Sequence, residues 1–599
     1  VSGDALDVAG EVNGGNDVLN FTDSLTAASA GLFGDAARVS GTVGGGRDEI
    51  TGTGFADLLV GDVGRAAAGA RVTGGNDTLF GLAGDDVLIG DVQVTEAGAT
   101  VTGGNDRLFG GADNDRLEGG GGDDDLDGGA GRDVMIGGAG DDFMIIAEAG
   151  DVEAGEIYFG GADIDDFVLF ATGLVDLRAV EIIGMEGLRF GGSADTEAAL
   201  RSSQLQRGVF DVEALIAVFG ADGLRETLSV TVDDGTADLS GLRFRNWERG
   251  LDTVRIDGSA TADLITGSRK DDVIRGAGGD DSLDGFAGRD RLIGGLGNDV
   301  YHVNGGDVIV EEAGTGSGFD QVISTRSLRS LAENVEHATL ADVAKALVVR
   351  GNDGDNLIEG NRFDNKLFGN DGADSLFGVG GANLLSGGDG GDLITGAEGG
   401  DTLLGGRGAD FLDGGRGADL IKGNAGDDEA FGGDGNDRIL GGTGDDTLGG
   451  GAEDDTLLGG AGRDRLSGDA GADRLDGGGK DDILAGGAGA DVLTGGFGAD
   501  RFVFTDSDGP EVDEITDFRG ADTIVLQGAG FGLEAGVLSA DAFAFIPGAA
   551  ATAATRIIYS GITGELFFDA DGSGAGAARQ LAQLEPGLAL SADDFLVVL

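Results

Sequence analysis

An all-β solenoid is the fold class this sequence predicts, and three observations predict it. The first is a nine-residue step: from Asn356 to Asp500 the chain carries Asp or Asn at seventeen successive positions nine apart. The second lies five residues before each of these, from Gly351 to Gly495, where every residue is Gly. The third lies two residues after, where Leu, Ile or Phe stands in every case but Ala430. The unit is G-G-x-G-x-D-x-(apolar)-x, and general glycine richness cannot hold phase over so many steps.

Each part of the unit has a physical task. Glycine at the first, second and fourth positions permits φ > 0 and close approach of neighbouring chains, which describes a tight turn of about six residues. The remaining x-apolar-x is a very short strand with one side chain pointing inward. A unit that buries one residue cannot fold alone and must stack on copies of itself. Stacking aligns the carboxylates along the turn edges, where they repel unless a cation lies between them. Carboxylates and glycine carbonyls form an all-oxygen, flexible donor set that suits calcium better than magnesium or a transition metal.

The sequence resembles the RTX family of calcium-binding repeat proteins. Gly432-Gly433-Asp434-Gly435-Asn436-Asp437-Arg438-Ile439-Leu440 is a full match to the family nonapeptide. The resemblance implies a parallel β-roll in which two nonapeptides make one coil. It also implies multiple calcium ions between successive turns of one edge, held by the sixth-position Asp and by backbone carbonyls. In the long block the implied metal ligands are Asp374, Asp392, Asp401, Asp410, Asp419, Asp428, Asp437, Asp446, Asp455, Asp464, Asp473, Asp482, Asp491 and Asp500. Asn356, Asn365 and Asn383 lose a charge, while Phe363, Glu453 and Lys480 replace the fourth-position Gly.

The same step recurs in two shorter blocks. Asp106, Asp115, Asp124, Asp133 and Asp142 form one set of implied ligands; Asp263, Asp272, Asp281, Asp290 and Asp299 form the other. Upstream, the acids come in pairs (Asp48 with Asp57, Asp77 with Asp86) that recur every 29 residues. Val72–Asp77 and Val101–Asp106 are identical hexapeptides at that interval. The added residues, such as 90–100, read as a loop or hairpin leaving the coil. Asp62 and Asp91 within them read as exposed loop acids, with a ligand role as the alternative.

The interruptions fix the organisation. We expect an N-terminal roll with loop excursions over 1–150, a calcium-free β-solenoid spacer over 151–260 and a short roll over 261–302. A second spacer over 303–350, the main roll over 351–503 and a β cap over 504–599 complete it. In 151–260 the segments Phe167–Phe170, Leu228–Val232 and Thr253–Ile256 read as strands, and Glu197–Gln206 and Val212–Gly220 as helices. A binding or catalytic module is the alternative there. After Arg501, the segments Phe502–Phe504, Asp513–Phe518 and Asp522–Leu526 read as strands closing the roll. Thr555–Tyr559 and Gly564–Gly574 resemble the hairpin of the serralysin-like C-terminal domain. Asp569-Ala570-Asp571-Gly572 fits either a further calcium loop or a plain hairpin turn. The acidic-then-apolar end, Asp593–Leu599, resembles an uncleaved type I export signal and is compatible with a final capping strand.

Composition excludes most other functions. With no Cys there is no disulfide framework, thiol nucleophile or cysteine-bound metal. The only two His, His302 and His337, belong to no H-E-x-x-H motif, and no G-x-S-x-G or G-x-x-x-x-G-K-[ST] occurs. Paired carboxylates abound, but the acids in phase are accounted for by calcium, so the chain reads as no enzyme. A formal charge of −70 repels nucleic acid and anionic membranes. No apolar run is long enough for a transmembrane segment, and the 3 Pro exclude both collagen and a Pro-rich disordered tract. The resemblance implies an extracellular protein exported by type I secretion machinery and folded by calcium. Its implied role is structural or adhesive, with cell-surface or matrix components as partners. The alternative is the secretion and folding module of a larger enzyme or toxin. The chain opens at Val1 directly into repeat-like sequence, as expected of the C-terminal part of something longer.

Overall fold

The computed structural model describes residues 11–13, 18–20, 31–33 and 42–599, apart from 64, 94, 192–193, 206–216, 220–223, 312–317, 343–344, 346, 506–510, 529–530, 547–553, 571, 573–577 and 599. The chain forms two compact units, Val1–Gly318 and Phe319–Leu599.

In the second unit, successive repeats place their strands alternately in two parallel sheets. Leu384–Asp389, Thr402–Arg407 and Leu420–Ala425 are consecutive in one sheet; Leu393–Glu398, Phe411–Arg416 and Glu429–Asp434 are consecutive in the other. Leu385 pairs with Leu403 and Leu403 with Ile421, so one coil is two nonapeptides. The apolar eighth positions stack into a narrow core: Leu385, Leu403, Ile421, Ile439, Leu457 and Leu475 have no exposed surface. The strands are six residues long rather than three, because the first three positions of the next unit continue the pairing, as in Gly406 with Asn424. Glycine carries no strand propensity of its own, and its neighbours' backbone bonds place it in the ladder.

The main roll is followed by further strands at its C-terminal end. Arg501–Thr505 pairs in parallel with Thr523–Gln527, which pairs in parallel with the terminal Phe595–Val598. In the opposite sheet, Asp513–Ile515 adds to Val492–Phe497, and Arg579–Gln583 adds to Asp513–Ile515. An antiparallel hairpin of Ile557–Ser560 and Glu565–Phe568 follows. Phe502, Phe504, Ile524 and Phe595 seal this end of the core, each no more than 2% exposed.

In the first unit, the 29-residue coils correct the expectation of a protruding loop. The extra residues stack as a third wall: Thr42–Gly44, Arg71–Thr73 and Thr100–Thr102 pair in parallel, with bridges from Val63 to Val92 and from Ala66 to Thr95. They have a core of their own, in which Val63, Ala66, Ala70 and Val72 pack with Val92, Ala99 and Val101. Burial of that apolar set holds the inserts of successive coils together.

The 151–260 spacer is a solenoid continuation. Thr196–Arg201, Glu226–Thr231 and Thr253–Asp257 pair in parallel and hand over to Asp272–Gly278. The helix expected over Glu197–Gln206 is instead the strand Thr196–Arg201 and a short 3₁₀ turn, Ser202–Gln204. Its Ala, Leu and Glu favour a helix in isolation, but parallel partners on both sides and buried Ala198, Ala199 and Leu200 decide otherwise. Of the helix expected over Val212–Gly220, Ala217–Phe219 is a strand and the rest lies outside the described residues.

Candidate metal centre

The turn edges carry two ladders of buried aspartates. All twenty-four sequence-predicted ligands are at most 3% exposed. Within each edge of the main roll, Oδ1 of one aspartate accepts the backbone N–H of the aspartate one coil earlier. Asp374 N–H reaches Asp392 Oδ1 at 2.8 Å, Asp419 reaches Asp437 at 2.8 Å and Asp482 reaches Asp500 at 2.9 Å. The N-terminal block does the same, with Asp106 to Asp124 at 2.8 Å and Asp124 to Asp142 at 2.9 Å.

The second oxygen is the informative one. From Asp374 to Asp482, all twelve sixth-position aspartates have a buried Oδ2 that no donor among the described residues reaches. Asp106, Asp115, Asp124, Asp142, Asp281 and Asp290 share this state. Burying a carboxylate oxygen with neither hydrogen bond nor counter-charge is costly, so such a column demands a cation. The carboxyls respond accordingly. Burial pushes Asp437 up to about 7; the Asp419 N–H pulls it back, and the charges of Asp419 and Asp455 raise it further. Asp115 is pushed to about 8, again chiefly by burial.

The glycines shape a cradle around this oxygen. A Cβ on first-position Gly432 would lie 2.2 Å from Asp437 Oδ2 and 2.5 Å from Gly450 O. Second-position Gly433 and fourth-position Gly435 adopt left-handed angles (φ 106° and 134°), and a Cβ there would meet Gly415 O at 2.0 Å and Gly417 O at 1.7 Å. Second- and fourth-position carbonyls thus point from one turn toward the next, and the first-position Gly450 O faces the same space as the bare Asp437 Oδ2. This all-oxygen set fits calcium, with Asp carboxylates as the charged ligands and glycine carbonyls as the neutral ones. At the fourth position Glu453 and Lys480 hold the same left-handed backbone without being glycine (φ 74° and 83°).

Several residues depart from the sequence reading. Asp62 and Asp91 are not exposed loop acids: they are 0% and 3% exposed. Asp91 accepts N–H bonds from Gly104 at 3.1 Å and Gly121 at 2.8 Å, and Asp62 accepts one from Gly75 at 3.1 Å. Burial, then the charges of Asp77 and Asp91, push Asp62 up to about 11. The inserted wall that shields them is what the spacing could not show. At Asp263 and Asp272, Oδ2 takes the backbone N–H of Ser259 and Ser268, both at 2.6 Å, so neither presents a bare oxygen. At the C-terminal hairpin, Asp569 Oδ1 accepts the Gly572 N–H at 3.0 Å, which closes a turn; Asp571 lies outside the described residues.

The ladder also runs beyond the repeat. Asp142 N–H reaches Asp165 Oδ1 at 2.9 Å, Asp491 reaches Asp513 at 3.0 Å and Asp500 reaches Asp522 at 3.1 Å. Upstream, Asp48 reaches Asp77 at 2.8 Å and Asp57 reaches Asp86 at 2.7 Å. A nine-residue search misses the first three because their spacing is 22 or 23. Their signal is an Asp placed just before an apolar strand.

Among the described residues no helix is long and apolar enough to cross a membrane. No curated protein matches the chain. The family model of the RTX calcium-binding nonapeptide repeat (4 copies) matches residues 71–93, 100–145, 257–310 and 350–505. These are the segments whose turns carry the aspartate ladders, and calcium is their ligand. With that match, the parallel coils and the cradled carboxylates, these segments of the chain are built from RTX calcium-binding nonapeptide repeats.

Proposed function

We propose that this protein is an extracellular structural element, of the surface, matrix or adhesion type, exported by type I secretion and folded by calcium. It is not an enzyme. The observation that carries the reading is the column of twelve buried, unpartnered Asp oxygens in the main roll. When bound, calcium neutralises these carboxylates. Without that neutralisation, burying them in register opposes stacking, and the chain favours the unfolded state that passes a narrow exporter. Millimolar extracellular calcium meets sites of the weaker extracellular class, about 10⁻⁴–10⁻³ M, and the coils assemble.

The phased acids are committed to the ladders rather than to proton transfer. Both His stand in strands, His302 within Val300–Val303 and His337 within His337–Leu340, with His337 Nε2 3.0 Å from Thr339 Oγ1. His337 Nε2 also lies 3.6 Å from Glu359 Oε2, and neither histidine belongs to a catalytic motif of the sequence.

The test is circular dichroism of the full chain in EDTA, followed by titration with CaCl₂. The expected result is weak β signal in EDTA and a cooperative gain at about 10⁻⁴–10⁻³ M calcium. Full β signal in EDTA would refute calcium-driven folding.

A further inference from the structure

The bare oxygen that marks the metal ladder is missing from the first turn on each edge after a spacer. After 151–260 these turns carry Asp263 and Asp272; after 303–350 they carry Asn356 and Asn365. In all four, the second position of the unit is not Gly but Ser259, Ser268, Asn352 or Asn361. None of these adopts the left-handed backbone of the usual second-position glycine, such as Gly388 at φ 130°.

The turn closes on itself instead. The N–H groups of Ser259 and Ser268 donate to Asp263 Oδ2 and Asp272 Oδ2 at 2.6 Å each, and the Ser268 hydroxyl adds a bond to Asp272 Oδ1 at 2.7 Å. The N–H groups of Asn352 and Asn361 donate to Asn356 Oδ1 at 2.8 Å and Asn365 Oδ1 at 3.3 Å. In the asparagines, Nδ2 stands where an aspartate carries its second oxygen. Asn356 Nδ2 donates to Asn352 Oδ1, and Asn365 Nδ2 to Asn361 Oδ1, both at 3.0 Å. The amides of Asn352 and Asn361 reach back into the spacer, to Ala332 O and Val335 O at 2.8 Å and to Ala341 O at 3.0 Å.

A physical reason connects the two occurrences. A cation between turns needs carbonyls from the glycine turn one coil below, and a first turn rests on a spacer that has none. A buried acceptor left there would be unsatisfied, so the chain supplies its own N–H donors in place of the ion. We infer that Asp263, Asp272, Asn356 and Asn365 bind no calcium, and that their closed turns decide where calcium loading begins on each roll. These starter turns stay folded on their spacers when calcium is absent. The inference rests on the calcium reading of the ladder, and its test separates the two.

The experiment compares D263N/D272N with D437N/D446N in the full chain, counting bound calcium by equilibrium dialysis against CaCl₂. Hydrogen exchange of the unsubstituted chain in EDTA is measured in parallel. D263N/D272N is expected to bind as many ions as the unsubstituted chain, and D437N/D446N about two fewer. In EDTA, amides within 259–275 and 352–367 are expected to exchange at least about tenfold more slowly than those within 428–455. Equal ion loss in both variants overturns the inference, as does loss in neither. Equally fast exchange in all three segments overturns the claim that starter turns hold without metal. An unsubstituted chain that binds no calcium refutes the ladder reading and takes the inference with it.

Discussion

Replacing Gly432 by Ala tests the cradle directly. Gly432 has no left-handed backbone, so its requirement is for space alone. The new Cβ would lie 2.2 Å from Asp437 Oδ2, 2.5 Å from Gly450 O and 2.9 Å from Asp437 Cβ, all under the 3.0 Å that real contacts respect. Gly450 is held by the ladder, since its neighbour Gly451 pairs with Gly433 one coil below. Asp437 must therefore swing away, giving up the Asp419 N–H at 2.8 Å and its share of a cation. Overpacking costs about 1–3 kcal/mol, and the lost hydrogen bond about 1 kcal/mol more. At about 2 mM calcium and a Kd of 10⁻⁴–10⁻³ M, one vacated site removes about 0.6–1.8 kcal/mol. The sum is roughly 3–6 kcal/mol, far outside the roughly 0.5 kcal/mol of an ordinary surface change. Gly520→Ala is the control, because a Cβ there meets no atom within 4 Å. The assay is urea unfolding followed by circular dichroism in calcium and again in EDTA. In calcium, G432A should unfold at clearly lower urea than G520A. Coincident midpoints would show that no carboxylate is cradled against the first-position glycine.

Three further outcomes follow from the same geometry. In EDTA, burial holds the Asp428, Asp437 and Asp482 carboxyls up at about 7, partly offset by a backbone N–H, whereas in the unfolded chain they titrate near 4. Between those values the folded chain binds more protons, so metal-free stability is greatest below about pH 4 and falls as pH rises through about 7. The β signal in EDTA should therefore grow on acidification from about pH 8 to 5, and a signal that shrinks would contradict the buried ladder. Lys480→Gly should relieve a non-glycine residue held at φ 83° and raise the unfolding free energy read from urea denaturation by up to about 1 kcal/mol, while an unchanged or lower urea midpoint would count against strain there. Phe595→Ala removes a fully buried ring from the terminal strand paired with Thr523–Gln527. It should cost about 3–5 kcal/mol in thermal unfolding with calcium present, and a wild-type transition would mean that this strand does not close the roll.

How much of this was legible depended on whether a slot recurs. Asp437 and Ile439 could be assigned from sequence because every ninth neighbour repeats their roles, so phase alone separates ligand from core. Asp165, Asp513 and Asp522 hold the same ladder position, yet their spacing is broken by spacer residues and only the three-dimensional register exposes them. Asp62 and Asp91 were misread for a related reason. Their surroundings look like loop composition until Val63, Ala66, Ala70 and Val72 are seen to form a core. Thr196–Arg201 shows the converse, a stretch with helix-forming residues that parallel neighbours on both sides draw into a strand. In each case the sequence states what a residue prefers, and the coil below it decides what it does. The starter turns follow the same logic: Ser259, Ser268, Asn352 and Asn361 are visible as exceptions at the second position. They acquire meaning once the turn above each is seen to close on their N–H groups instead of on an ion. An exception to a repeat that falls where a coil loses its neighbour is therefore a substitute for that neighbour, not decay of the motif.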